Sequence, residues 1–457
     1  MNNVSNKTHI FLYVIATIAI IAASLSAENM FPFLMYLALS IIFVISNLNS
    51  SSSIRLFTIV FSVYIAYSTI AQYLYFSPND EVYFISQDSL YFWGEMVNNI
   101  YMSDTLYGAF EYINDTAVFE LKLYGYIYTT IAYASSLFGD LEIYSQVVFT
   151  SFCSALIAVN LYKLLQTMTV RNERVYVFVL IYAFFSFNLF YSALFLRDSL
   201  IACLYSFIFL YALRERYTLN TLITLVFLST LVFYLRPVHG IVAFAMSCIS
   251  TVRFLKRVDN SIIYIALLVL GLVIVLFFDL DTAISKSNAY LERSVTHASS
   301  SSLGVKLLLL PFPINYIVSF LYSQFGIFPF WTYLDDNPFR TIEVLASLSW
   351  FVCFYTIVIF IVFSFFTKKF ELQLSLFESK CDTRNMLLIS MSLLSIIAIL
   401  GASSEFSVRR LYCFYPILFV LYIDIYNKVE LRNLKLIAIF LICAYSILLF
   451  LYSVVKL

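Results

Sequence analysis

Four arginines and a histidine, Arg197, Arg236, His239, Arg409 and Arg410, stand at the edges of long apolar runs, in "LFLRDSL", "FYLRPVHG" and "SEFSVRRLYCFYP". Arginine stays charged at any physiological pH and grips phosphate oxygens through a planar fork of N–H donors. At the end of a membrane helix it is placed to hold the headgroup of a phosphorylated lipid whose tail stays in hydrocarbon. In a transfer reaction the same group would stabilise a departing phosphate as its charge grows. His239, three residues after Arg236, could donate to a phosphate or move a proton near neutral pH. The competing reading is structural. Arg197 would pair with Asp198 and Arg409 with Glu405, or each would snorkel to headgroups.

A second group of chemical residues lies between Ser77 and Lys122, where eight acids face one base, Lys122. Glu81, Asp88 and Glu95 are the candidates for a general base that would take a proton from a hydroxyl acceptor. The segment "FISQDSLYFWGEMVNNIY" (84–101) has helical periodicity, with Leu90, Trp93, Val97 and Ile100 as one stripe and Asp88, Glu95 and Asn99 on the other face. That pattern predicts an amphipathic helix lying on the membrane, with a carboxylate held above it. An ordinary solvated acidic face is the alternative.

These residues need elements to position them, and the composition says which. The chain has 457 residues, 62% hydrophobic and 12% charged, with a mean hydropathy of +0.90. A soluble domain carries about 25% charged residues, so this inventory does not furnish a water-facing surface. Apolar runs near 10–25, 31–47, 56–76, 143–165, 175–196, 199–213, 219–235, 238–253, 261–279, 342–366, 386–403, 411–427 and 435–455 give about thirteen membrane helices. The expected fold is all-α and polytopic, one domain over 1–457, with outer loops near 77–142 and 280–341. "GYIYTTIAYASSLFG" (125–139) and the proline-broken stretch 305–333 are expected as re-entrant or interfacial outer helices. "SLSAEN" after the first run faintly resembles a signal-peptide site, and an uncleaved first helix is the plainer expectation.

Basic loops set the orientation. "RNER", "RER", "RFLKR", "KK", "CDTR" and "KVELR" fall on one side, which makes the N-terminus cytoplasmic. Arg197, Arg236, Arg409 and Arg410 then all fall on the outer side, where positive charge is scarce. The formal net charge is zero, so nothing points to nucleic acid. The seven cysteines form no CxxC, and neither a phosphate-binding glycine loop nor HExxH occurs. No cofactor or metal is implied.

On "LFLRDSL", "YLRPVHG" and "SVRRLYCFYP", and on its hydrophobic character throughout, the chain resembles the bacterial polymerases of O-antigen and capsule repeat units, the Wzy type. The resemblance implies an enzyme of the bacterial inner membrane that extends a glycan on undecaprenyl pyrophosphate at the outer face. Arg197, Arg236, Arg409 and Arg410 would hold the pyrophosphates of the lipid-linked oligosaccharides. Asp88, Glu81, Glu95 or His239 would activate the acceptor. A chain-length regulator and a flippase of the same pathway would be partners, besides the lipid bilayer. The acidic loop followed by "LYGYIYTTIAYASSLFGDLEIYSQVVFTSFCSALIAVNLY" (123–162) is also similar to C-type glycosyltransferases that use polyprenyl-phosphate sugars. Two extra spans precede that loop here, and no clear Asp-Glu or Asp-x-Asp pair sits immediately after the first helix, "NDEVY" (79–83) being the nearest candidate. A flippase or transporter of the same lipids is the third alternative, which would line a cavity at the bilayer midplane.

Overall fold

The computed structural model describes residues 2–72, 87–103, 105–117, 119–167, 172–214, 218–251, 311, 314–324, 338–366, 383–401, 411–429 and 431–456. Among them every regular element is helical. Among the described residues, five helices are long and apolar enough to cross a membrane: Thr8–Ser26, Ser51–Ile70, Tyr144–Thr167, Thr341–Ile361 and Asn433–Phe450. Six shorter apolar helices accompany them. Their outward faces carry bare aliphatic and aromatic side chains, among them Ile18, Ile45, Phe227, Ile442 and Phe450. Water does not tolerate so much exposed apolar surface on long apolar helices, so this is a membrane-embedded protein. The expected span 261–279 lies outside the described residues.

The chain divides into two compact units, Met1–Leu210 with Phe227–Ala243, and Tyr211–Val226 with Phe244–Leu457. The first is built from α1 (Asn2–Ser26), α2 (Phe31–Ser46), α3 (Ser51–Ile70), α4 (Gln87–Tyr101), α5 (Leu106–Thr116), α6 (Phe119–Ser136), α7 (Tyr144–Thr167), α8 (Asn172–Phe185) and α9 (Phe187–Ser192). It also takes in most of α10 (Arg197–Ala212) and the facing ends of α11 (Leu219–Leu235) and α12 (Pro237–Thr251). α7 is its axis: buried along nearly its whole length, it packs on α2, α3, α6, α8 and α9. Lipid tails are as apolar as leucine, so helices in a bilayer associate through packing and interhelical hydrogen bonds. Here Asn188 Nδ2 donates to both Tyr64 Oη and the Ser154 carbonyl at 2.9 Å, and Tyr64 donates onward to the Ala183 carbonyl at 2.8 Å. Ser151 Oγ reaches the Ser192 carbonyl, and Asn160 Nδ2 reaches Ser206 Oγ.

Those polar residues explain a departure from the expected span 175–196. The run is broken at Ser186, whose backbone is extended (φ −117°, ψ 173°) and whose hydroxyl accepts from the Asn188 amide. The serine caps a new six-residue helix, α9, after which the buried stretch Ala193–Leu196 leaves helix altogether. Hydropathy reads only the apolar side chains, and the cap with its Asn188 partners decides the backbone.

α4 to α6 pack as a group. The amphipathic helix expected over 84–101 is present as α4, but its inner face is rotated from the expected stripe. Phe92, Met96 and Asn99 are the buried residues, while Trp93, Val97 and Ile100 are half-exposed. Asn99 therefore leaves the polar face, and its amide donates to Thr129 Oγ1 of α6 at 3.3 Å. α6 itself starts at Phe119, earlier than the apolar run at 125 suggests.

Asn29 ties α2 to the far end of α6, donating to the Ser135 hydroxyl at 3.0 Å and to the Asp140 carbonyl at 2.7 Å. Gly139 makes that closure possible: its φ is +154°, and a Cβ there would overlap the Glu28 carbonyl oxygen. That oxygen and Asn29 Cα, which the Cβ would approach to 2.9 Å, are both backbone and neither can give way. Gly139→Ala should lower stability by about 2–3 kcal/mol, read as a fall in the thermal midpoint of the detergent-solubilised protein.

The second unit includes Ile314–Ser323, Pro338–Phe366, Thr383–Gly401, a short 3₁₀ turn at Tyr412–Phe414, Tyr415–Lys428 and Leu431–Lys456. Trp350 anchors it by stacking on Tyr415 at 3.5 Å between centroids and donating from Nε1 to Gln324 Oε1 at 3.0 Å. Phe351, Ile359, Ile437 and Leu441 form a small apolar cluster beside it.

Candidate functional site

Three helix ends of the first unit meet at Arg197: the start of α6, the start of α10 and the corner between α11 and α12. The corner is dictated by sequence. Pro237 has no N–H to continue α11 and a φ suited to the first helical position, so one helix stops and another begins. The Arg236 amide closes α11 on the Val232 carbonyl at 2.8 Å, and the Gly240 amide opens α12 on the Arg236 carbonyl at 2.9 Å. A Cβ at Gly240 would overlap the Phe233 backbone. Gly240→Ala should therefore pry the corner open, with a loss of about 2 kcal/mol, readable as a lowered melting midpoint.

Arg197 spans the gap between these ends. Its Nη1 donates to the Leu235 carbonyl at 3.2 Å and to the Glu120 carbonyl at 3.1 Å. The first is a carbonyl left over at a helix C-terminus, where a cation also meets the favourable end of the helix dipole. Its Nη2 lies 3.9 Å from the Glu120 carboxylate, with side chains 13% and 42% exposed. A pair so open to its surroundings contributes at most about 1 kcal/mol.

Arg236 differs in kind. Its Nη1 lies 2.8 Å from Asp198 Oδ1, and the two side chains are only 8% and 3% exposed. The pairs formed differ from the Arg197–Asp198 pair of the competing structural reading: adjacent residues at the start of α10 point apart, Asp198 inward to Arg236 and Arg197 toward Glu120. The reason is the helix itself, which separates consecutive side chains by about 100°. A buried guanidinium with its own carboxylate is a clasp between α10 and α12, and a lipid phosphate could reach it only by displacing Asp198.

His239, one turn into α12, is also buried. Its ring lies edge-on to Tyr205, 6.2 Å between centroids, and its carbonyl accepts from the Tyr205 hydroxyl at 2.6 Å. Tyr205 belongs to α10, so this contact is a second tie between the same two helices. The imidazole is packed between these helices.

α6 links this junction to α4. Phe119 packs on Phe233 and Tyr234 at the end of α11, and Tyr124 and Tyr128 pack on Phe195. Tyr124 meets Phe92 of α4, 5.0 Å between ring centroids. Asp88 lies in the first turn of α4, and Glu95 is exposed two turns later. Partial burial, and then the Glu95 carboxylate, push the Tyr91 phenol above its ordinary value. Glu81, Arg409 and Arg410 lie outside the described residues.

The structure thus brings Arg197, Arg236 and His239 into one junction and adds Glu120 and Asp198 as their partners. Glu120 is not among the site residues read from the sequence. Its signal was faint: one acid of eight in a loop, followed two residues later by Lys122. Lys122 is occupied elsewhere, donating to the Asn114 carbonyl and side chain.

No protein-family model matches this chain, and neither the curated proteins nor the solved structures hold one similar to it.

Proposed function

We propose that the protein polymerises undecaprenyl-pyrophosphate-linked repeat units of a surface polysaccharide, as a glycosyltransferase at the outer face of a bacterial inner membrane. The observation that carries this reading is Arg197, a partly exposed guanidinium at the meeting of three helix ends beside helices bearing acids. Such a group can take a lipid pyrophosphate at the membrane surface while its backbone anchors fix its direction. In the proposed reaction the acceptor hydroxyl attacks the anomeric carbon of the donor sugar. The bond to the pyrophosphate oxygen breaks, and Arg197 steadies the charge that leaves on it. The acceptor proton goes to a carboxylate, with Glu95 and Asp88 of α4 the candidates. Asp198 and Arg236 position the arginine by holding α10 against α12, and Arg409 and Arg410 are kept for the second pyrophosphate.

The proposal carries with it about thirteen spans, a cytoplasmic N-terminus, and a chain-length regulator and flippase as pathway partners. The pair of short helices α4 and α5 packed on α6, behind an acidic segment, favours a second reading. That reading is a C-type transferase that adds one sugar from a polyprenyl-phosphate donor. Deleting the gene and resolving the surface polysaccharide by length separates the two. A lost ladder with a single capped unit remaining supports the polymerase. A ladder in which every repeat lacks one sugar supports the transferase, and an unchanged polysaccharide removes both.

A further inference from the structure

A groove with a volume of about 320 Å³ opens between α1, α2 and α3, away from the Arg197 junction. His9 and Tyr13 of α1, Ile41 and Val44 of α2, and Phe57 and Phe61 of α3 line it. Its floor is aromatic: Phe43 stacks on Phe57 at 3.8 Å, and Tyr36 meets Phe61 at 5.2 Å. Its sides are open to lipid, since Ile10, Ile41 and Ile45 are each more than half exposed. The lining residues come from the first half of α1, the last turns of α2 and the first half of α3, so the groove lies toward the end where α1 and α3 begin and α2 stops. Cations gather at that same end. Arg55 lies one turn before Thr58 of the wall. Asn47, just past Ile45 of the wall, accepts from Lys163 Nζ at 2.7 Å. Arg55 and Lys163 place positive charge toward that end of the apolar slot, whose wall also carries the His9 imidazole.

We propose that this groove binds one anionic phospholipid, its acyl chain on the aromatic floor and its phosphate at the end bearing His9, Arg55 and Lys163. An apolar slot alone would accept any lipid tail. The cations select a net-negative headgroup, as basic pockets between membrane helices do. The site needs only that the protein is membrane-embedded and stands apart from the glycan reading.

The test is thermal unfolding of the full chain in a neutral detergent with added phosphatidylglycerol, phosphatidylcholine or undecaprenyl phosphate. Phosphatidylglycerol should raise the midpoint with the logarithm of its concentration, and phosphatidylcholine much less. Ile41→Trp, which fills the slot from an exposed position, should abolish the rise without lowering the lipid-free midpoint. Lys163→Gln should cut the difference between the two phospholipids at least by half. Equal rises with both phospholipids overturn the proposal, as does a full rise in Ile41→Trp. A rise with undecaprenyl phosphate alone also overturns it, and would give the groove to a carrier tail.

Discussion

Asp198→Ala should lower stability by about 3–5 kcal/mol, enough to strip most of the protein from the membrane fraction. The carboxylate and the Arg236 guanidinium are 2.8 Å apart and both almost fully enclosed. In that setting their attraction offsets a desolvation cost of several kcal/mol per ion. Truncating the aspartate removes the attraction and leaves the guanidinium's cost in place, with no water to take over. Asp198→Asn, which keeps the shape and an acceptor oxygen, should lose less. Pairing Asp198→Ala with Arg236→Met should recover much of the loss, because an apolar side chain of similar length needs no partner. The four proteins form a double-mutant cycle, measured by thermal unfolding in one detergent. If Asp198→Ala melts with the wild type, the clasp between α10 and α12 does not exist.

Arg236 shows where the sequence was legible and where it stopped. Apolar runs of membrane length announced an all-helical membrane protein, because twenty apolar residues have few other places to go. The gap between the runs 219–235 and 238–253 marked the corner, and Arg197, Arg236 and His239 marked the junction. What the runs did not carry was direction. Arg197 and Asp198 are neighbours in sequence, so local pairing looked natural, yet a helix turns them to different partners 77 and 38 residues away in the chain, Glu120 for Arg197 and Arg236 for Asp198. The break at Ser186 was hidden for a related reason. Its cause is Asn188, whose side-chain amide nitrogen donates to Tyr64 and Ser154 of two other helices, and no window of one segment contains those partners. On α4, Asn99 read as polar surface because its partner, Thr129, lies a helix away.

Arg197→Ala should cut chain extension by about 10²–10³-fold while costing the fold far less than Asp198→Ala does. The two arginines make the contrast. Arg236 is enclosed with its own carboxylate, so its loss should act through stability and protein level. Arg197 is held by two backbone carbonyls and a half-open carboxylate, whose combined contribution is about 2 kcal/mol. If its fork also takes the pyrophosphate, removing it strips charge stabilisation from the departing group and leaves most of the protein standing. Arg197→Lys keeps the charge but not the paired donors, and should recover only part of the rate. The readout is extension of purified lipid-linked repeat units per mole of membrane-extracted protein, beside the melting midpoint of each variant. A rate that falls only as far as the folded fraction falls would make Arg197 a brace between α6 and α11. Full extension by Arg197→Ala at normal protein level would take the pyrophosphate away from this junction altogether.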